Sequence, residues 1–152
     1  MKTLTPRADN HCFGCGAANT RGMQLAFDQD DEKRRIVGRF RLGKEYEGGS
    51  GYVHGGIIAT LMDEAMGKVN RFREAPAVTA ELNVEYHRPV PVDAWIQVEA
   101  FETRHEGRNL HHECEIRNEA GKLLARGRGR FVVVDIEKYR SRAKQSGSGS
   151  TT

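Results

Sequence analysis

The sequence predicts an α+β fold in which one antiparallel sheet wraps around a single long helix. Three observations predict it. An apolar stretch over about residues 56–72 follows the 3.6-residue helical period. The period then switches to two and stays there through four successive segments. One of those segments, 123–133, carries Ala125, Gly127 and Gly129 on a single face, where a helix backbone can come close. A lone helix cannot cover such a meander from outside and leave the rest wet, so the sheet must curl around it. The 152 residues, 38% apolar and 30% charged, suit one domain with a real core.

The elements follow in chain order. Residues 1–10 are polar and are expected to form a flexible N-terminus, with the folded domain spanning 11–137. "HCFGCGAANTRGMQLAF" reads as a compact loop leading into a short strand near Met23 to Asp28. "RRIVGRFRL" (34–42) alternates Ile36, Gly38, Phe40 and Leu42 against Val37, Arg39 and Arg41, which is a strand pattern. The loop "GGSGYVHGG" then opens the helix, whose positions 58, 61, 62, 65, 66 and 69 share an apolar stripe. Lys68, Arg71 and Arg73 sit where the helix dipole favours cations, and Pro76 prevents continuation.

"TAELNVEYH" places Ala80, Leu82, Val84 and Tyr86 on one strand face. "WIQVEAFETR" groups Ile96, Val98 and Ala100; "NLHHECEIRN" groups Leu110, His112, Cys114 and Ile116. The last strand opposes Arg126, Arg128 and Arg130 to its small residues. "EGRN" (106–109) and "NEAG" (118–121) are hairpin turns, and "RPVPVD" (88–93) is a longer connection. Five to six strands are expected in all. The tail, 138–152, is linker-like and expected to be flexible.

Composition excludes several classes. The net charge of +3 comes from 24 Lys and Arg against 21 Asp and Glu spread along the chain. With aromatics at 7% and no aromatic–basic interleaving, nucleic acid is not an expected partner. No apolar run approaches the ~18 residues of a membrane span, and the N-terminus lacks the apolar core of a secretory signal. Three cysteines form no disulfide framework, so a reduced, cytoplasmic setting is expected.

The chemistry concentrates in "GGSGYVHGGIIATLMDEAMG" (48–67). Gly55 or Gly56 begins the helix, where unpaired N–H groups and the dipole can hold a carbonyl oxygen that becomes negative. Glycine there removes the Cβ that would keep a substrate away. Asp63 lies seven residues after Gly56, ~20° short of two turns, so it shares the face of the helix start. Glu64 is turned ~100° further round. An acid in an amphipathic helix usually sits on the wet face, but Leu61, Met62, Ala65 and Met66 surround this one. A carboxylate in line with an anion hole can attack a carbonyl or activate water.

"GYVHGGIIATLMDEAMG", followed sixteen residues after Asp63 by "TAELNVEYHRPVP", resembles the hot-dog fold acyl-CoA thioesterases, in particular the phenylacetate-degradation type and its mammalian thioesterase-superfamily relatives. The likeness runs from "HCFGCG" to "RGRFVVV". It implies a sheet wrapped round one helix, subunits paired edge to edge as a dimer or a dimer of dimers, and two active sites at the dimer interface. It further implies that Gly55 supplies the N–H for the thioester oxygen, that His54 orients that peptide, and that Asp63 of the other subunit is nucleophile or general base. Thr79 matches the Ser or Thr that positions water or the carboxylate. Gly48 stands where many relatives carry Asn or Gln six residues before the His; Ser50 is the candidate substitute. Gly56, Arg88 and Arg108 complete the candidate substrate contacts, the two arginines as partners for the coenzyme A nucleotide.

Other residues have plainer readings. "CFGC" with His11 beside it is half a zinc site, but only Cys114 remains, on an inward strand face, and a closed site needs four ligands. The pair, also frequent at the N-terminus of the family resembled, is expected to pack a loop; no metal or cofactor is expected. His111 and His112 adjoin on a strand and point to opposite faces. Arg126, Arg128 and Arg130 face Glu113 and Glu115 of the preceding strand, so ion pairs are their plain role and a phosphate seat the sharper one. The leading function is acyl-CoA thioesterase; the alternatives are a hot-dog dehydratase or hydratase using His54 and Asp63, or a non-catalytic acyl-CoA binding module.

Overall fold

A computed structural model describes residues 1–148. In chain order the elements are β1 (Lys2–Leu4), β2 (Phe27–Asp30), β3 (Arg35–Arg41), α1 (Gly55–Val69), β4 (Ala77–Tyr86), β5 (Trp95–Glu106), β6 (Asn109–Asn118), β7 (Leu123–Val133) and α2 (Ile136–Ser148). The strands form one seven-stranded sheet of order β1-β2-β3-β5-β6-β7-β4, antiparallel throughout. It curves around α1, which packs against β3, β4, β5, β6 and β7. This is the expected hot-dog arrangement.

The helix forms where its period predicted. Ile58, Leu61, Met62, Ala65, Met66 and Val69 are all buried, facing Ile36, Ile96, Val98, Leu110, Ile116 and Phe131 from the strands. A 3-10 turn, Asn70–Arg73, prolongs α1 until Glu74 adopts a left-handed conformation. The small residues of β7 do admit the helix closely: a Cβ on Gly127 would stand 2.8 Å from Met62 Sδ.

Four expectations need correction. The sheet has seven strands rather than five to six, because Lys2–Leu4, expected to be flexible, pairs with β2 and buries Leu4. The strand expected from Met23 starts only at Phe27, because the N–H groups of Met23 and Leu25 donate to Phe13 and Gly14 of the preceding loop. Much of the expected tail is helix α2, whose start is capped by Asp135 Oδ1 accepting from the N–H groups of Glu137 and Lys138; residues 149–152 of that tail lie outside the described residues. Finally, β4 does not bury an alternating apolar face. It is an edge strand, Leu82 and Tyr86 are exposed, and a bulge at Ala80 breaks the alternation.

The outer face of the sheet carries an ion-pair ladder. Arg126 reaches Glu115 at 3.0 Å, Arg128 reaches Glu113 at 3.0 Å and Glu85 at 2.6 Å, and Arg130 reaches Glu81 at 2.7 Å. These arginines are committed to carboxylates. No helix of the described residues is long and apolar enough to cross a membrane.

Candidate active site

The loop before α1 is held on three sides. Glu47 bridges to Val53, Val53 N–H donates to Val90 carbonyl, and His54 N–H donates to Tyr46 carbonyl. Gly48 lies against His54: a Cβ there would stand 2.8 Å from His54 Cα, so no larger side chain fits this loop conformation without a shift. Ser50, the candidate substitute, is exposed at the loop tip, beside Gly51, whose N–H donates to Glu47 Oε1 at 2.8 Å.

At the helix start the four orphan N–H groups divide unequally. Those of Ile57 and Ile58 donate to the carbonyl of His54, and that of Gly56 donates to His54 Nδ1 at 2.9 Å. Gly55 N–H alone is left without a partner among the described residues, exposed at the positive end of α1. His54 therefore acts as the N-cap, and by occupying Gly56 it makes Gly55 the free donor. Tyr86, from the far end of β4, donates its hydroxyl to the Gly55 carbonyl at 2.6 Å and so holds the Gly55–Gly56 peptide, whose N–H is bound to His54 Nδ1, from the other side, next to the free Gly55 N–H. Nothing in the residue spacing points to Tyr86, since strict alternation makes it an apolar-face residue of its strand.

Two turns along the helix, Asp63 is half-buried and accepts from Thr79 Oγ1 at 2.7 Å. Burial raises its pKa, the Thr79 hydrogen bond opposes the rise, and the Glu64 charge adds to it. The pair named by the sequence, Asp63 and Thr79, is thus brought together, with one carboxylate oxygen held by Thr79. Glu64, as its angle requires, faces elsewhere and accepts from Cys12 Sγ at 3.2 Å.

The remaining candidates are scattered. Arg88 follows β4 just beyond the helix start; it is exposed and its guanidinium has no ion-pair partner among the described residues. Arg108 lies at the other end of the sheet, in the turn between β5 and β6, and donates through Nε and Nη2 to the Val133 carbonyl. One chain does not bring them together. His112 is a core residue: Nε2 donates to Asn70 Oδ1 at 2.7 Å, Nδ1 has no partner, and burial pushes its pKa down to about 4. His111 faces the other way and meets Arg104.

Gly55 and Asp63 are eight positions apart on one helix, a rise of ~12 Å. That exceeds what one carbonyl group can bridge, so the donor and carboxylate of a single chain cannot act on the same thioester.

Comparison with known proteins follows the same line. Residues 50–125 match the model of the thioesterase superfamily. Acyl-coenzyme A thioesterase THEM4 of Rattus norvegicus is 33% identical over 118 residues, covering 77% of this chain and 51% of the relative, so the chain spans about half of that protein's length. Acyl-coenzyme A thioesterase 13 of Homo sapiens is 30% identical over 98 residues, covering 62% of this chain and 69% of the relative. A solved thioesterase superfamily protein superposes with a TM-score of 0.75 at 27% identity, covering 80% of this chain and 60% of that one.

Proposed function

This chain belongs to the thioesterase superfamily, and we propose from that premise that it hydrolyses acyl-CoA or aryl-CoA thioesters to the free acid and coenzyme A. The observation that carries the reading is the pairing of one unpartnered helix N-terminal N–H, at Gly55, with a half-buried, Thr79-held carboxylate of raised pKa, at Asp63. The N–H receives the thioester oxygen as it becomes negative. Asp63 takes a proton from water, the water oxygen attacks the carbonyl carbon, the C–S bond breaks, and the departing sulfur takes the proton back. A raised pKa makes Asp63 a better base than an ordinary carboxylate.

The site is completed by a second subunit. β4 runs antiparallel to α1, so its Thr79 end lies beside Asp63 and its Tyr86 end beside Gly55. As a ten-residue edge strand with Leu82 and Tyr86 exposed, β4 is open for pairing. Antiparallel pairing of two β4 strands about a two-fold axis sets the Tyr86 end of one against the Thr79 end of the other. Gly55 of one subunit then approaches Asp63 of its partner. The same operation carries Arg88 toward the partner's Arg108 and makes the nucleotide contacts a shared property of both chains.

A panel of acyl-CoA and aryl-CoA esters assayed for thiol release tests the reading. Turnover by the wild type and its loss in Asp63→Asn support it; tight binding of an acyl-CoA without thiol release replaces it with a binding module.

A further inference from the structure

The CFGCG loop sets two sulfurs against the Glu64 and Lys68 side chains of α1. Cys12 Sγ donates to Glu64 Oε1 at 3.2 Å, Lys68 Nζ donates to Cys15 Sγ at 3.1 Å, and Lys68 Nζ lies 3.9 Å from Glu64 Oε2. One ligand atom each from Cys12, Cys15 and Glu64 falls within 4.8 Å of the other two. The loop is laid directly on the helix here: a Cβ on Gly14 would overlap the Glu64 side chain. Cys114, in contrast, is fully buried in the core on β6 and takes no part.

We propose that Cys12, Cys15 and Glu64 form a binding site for a thiophilic divalent cation of the zinc class, with the fourth position open to water or an added ligand. Two sulfurs from a Cys-x-x-Cys turn give the bite of tetrahedral zinc sites, and a carboxylate is an accepted third ligand. A count of cysteines finds only two ligands in this loop, because the third, Glu64, comes from the helix fifty-two residues after Cys12. The charges balance. Binding replaces the two thiol protons, which are released, by one divalent cation; two thiolates, one carboxylate, the Lys68 ammonium and the cation then sum to zero. No electron moves. Lys68 keeps its place as a donor to the Cys15 sulfur, the kind of outer partner that tunes thiolate ligands. A cleft of about 390 Å³, walled by Leu4, Asn10, Cys15 and Lys68, borders the Cys15 side of the cluster. The inference is independent of the hydrolase reading.

The test uses the full chain, reduced and stripped with a chelator, and Co²⁺ alone as the probe. One equivalent is expected to produce a thiolate-to-cobalt charge-transfer band in the near ultraviolet that Zn²⁺ abolishes. Cys114→Ser keeps the band and Cys12→Ser loses it. Lys68→Met keeps the band but weakens affinity by about 10–100-fold, and Glu64→Gln weakens it at least as much. X-ray absorption of the zinc-loaded wild type, which needs no variant to fold, is expected to give two sulfur neighbours at about 2.3 Å with oxygen or nitrogen completing the shell. Absence of the band at millimolar Co²⁺ overturns the proposal, as does unchanged affinity in Glu64→Gln. A wild type that binds no cation but closes a Cys12–Cys15 disulfide under mild oxidant also overturns it, in favour of a redox pair.

Discussion

Asp63 stands among buried apolar neighbours at a cost the fold does not require, since an ionised carboxylate loses hydration there. Asp63→Asn keeps the shape and an acceptor for Thr79 but cannot take a proton from water. It is expected to lower kcat on the best thioester about 10²–10⁴-fold while the melting temperature holds or rises. Because burial lifts the Asp63 pKa and Thr79 opposes the lift, Thr79→Val should move the acid limb of kcat/KM to still higher pH; a limb that moves down, or not at all, assigns it to another group. His112 gives a separate pH signature. Its pKa falls from 6.5 to about 4 on folding, so the unfolded chain binds the proton first as pH drops. Stability contributed by neutral His112 is complete above pH 6.5, is lost between there and pH 4, and amounts to about 3 kcal/mol at most. Urea midpoints across that window should fall more steeply for the wild type than for His112→Gln.

Among the elements, α1 and β7 depend on each other. Gly127 passes so close to Met62 that Gly127→Val must push the helix outward, at about 1–3 kcal/mol, seen as a lower denaturation midpoint. Gly55 makes the opposite case. A Cβ there would come no closer than 3.5 Å to its nearest neighbours, atoms of the Tyr86 side chain, an ordinary contact, and its φ is not positive. Gly55→Ala should therefore leave the melting temperature nearly unchanged yet lower kcat/KM, because a methyl beside the free Gly55 N–H narrows the approach of a thioester oxygen in the proposed reaction. A rate equal to that of the wild type would move the anion hole away from this peptide. The helix and β5, β6 and β7 were legible from period alone, because burial on one face imposes it; β4 has an alternating sequence that its burial does not follow. β1 was not legible: Lys2–Leu4 is too short to show a period and exists only because β2 offers it an edge. α2 carried a readable signal in Asp135 followed by helix formers, obscured by the Gly- and Ser-rich residues after it.

For the whole molecule, the decisive feature is the open edge at β4. Leu82→Lys, which places a charge on that edge, is expected to yield monomers in sedimentation and to lose thioesterase activity together with the dimer. Complementation gives the sharper measurement. Asp63→Asn and Gly55→Ala, each impaired alone, should recover roughly a quarter of wild-type activity when unfolded together and refolded at equal amounts, since half the dimers are mixed and each holds one intact site of two. No recovery would mean that donor and carboxylate do not meet across subunits.

The sequence by itself determined the helix, its buried stripe, the glycine-rich start and the spacing that sets Asp63 in line with it, because each is a local consequence of period and backbone freedom. It also brought Asp63 and Thr79 forward, through the resemblance carried by "GYVHGGIIATLMDEAMG" and "TAELNVEYHRPVP". Tertiary structure alone decided how β4 addresses the helix. Thr79 and Tyr86 are seven residues apart, and strict alternation puts them on opposite faces. The bulge at Ala80 adds one residue against β7, so Thr79 pairs with Phe131 and Tyr86 with Ala125, both on the inner face. One strand thereby holds the carboxylate at one end and the Gly55 peptide at the other. The convergence of Glu64 on Cys12 and Cys15 is of the same kind. Contacts between residues far apart in the chain are set by how layers pack, and no local period records them.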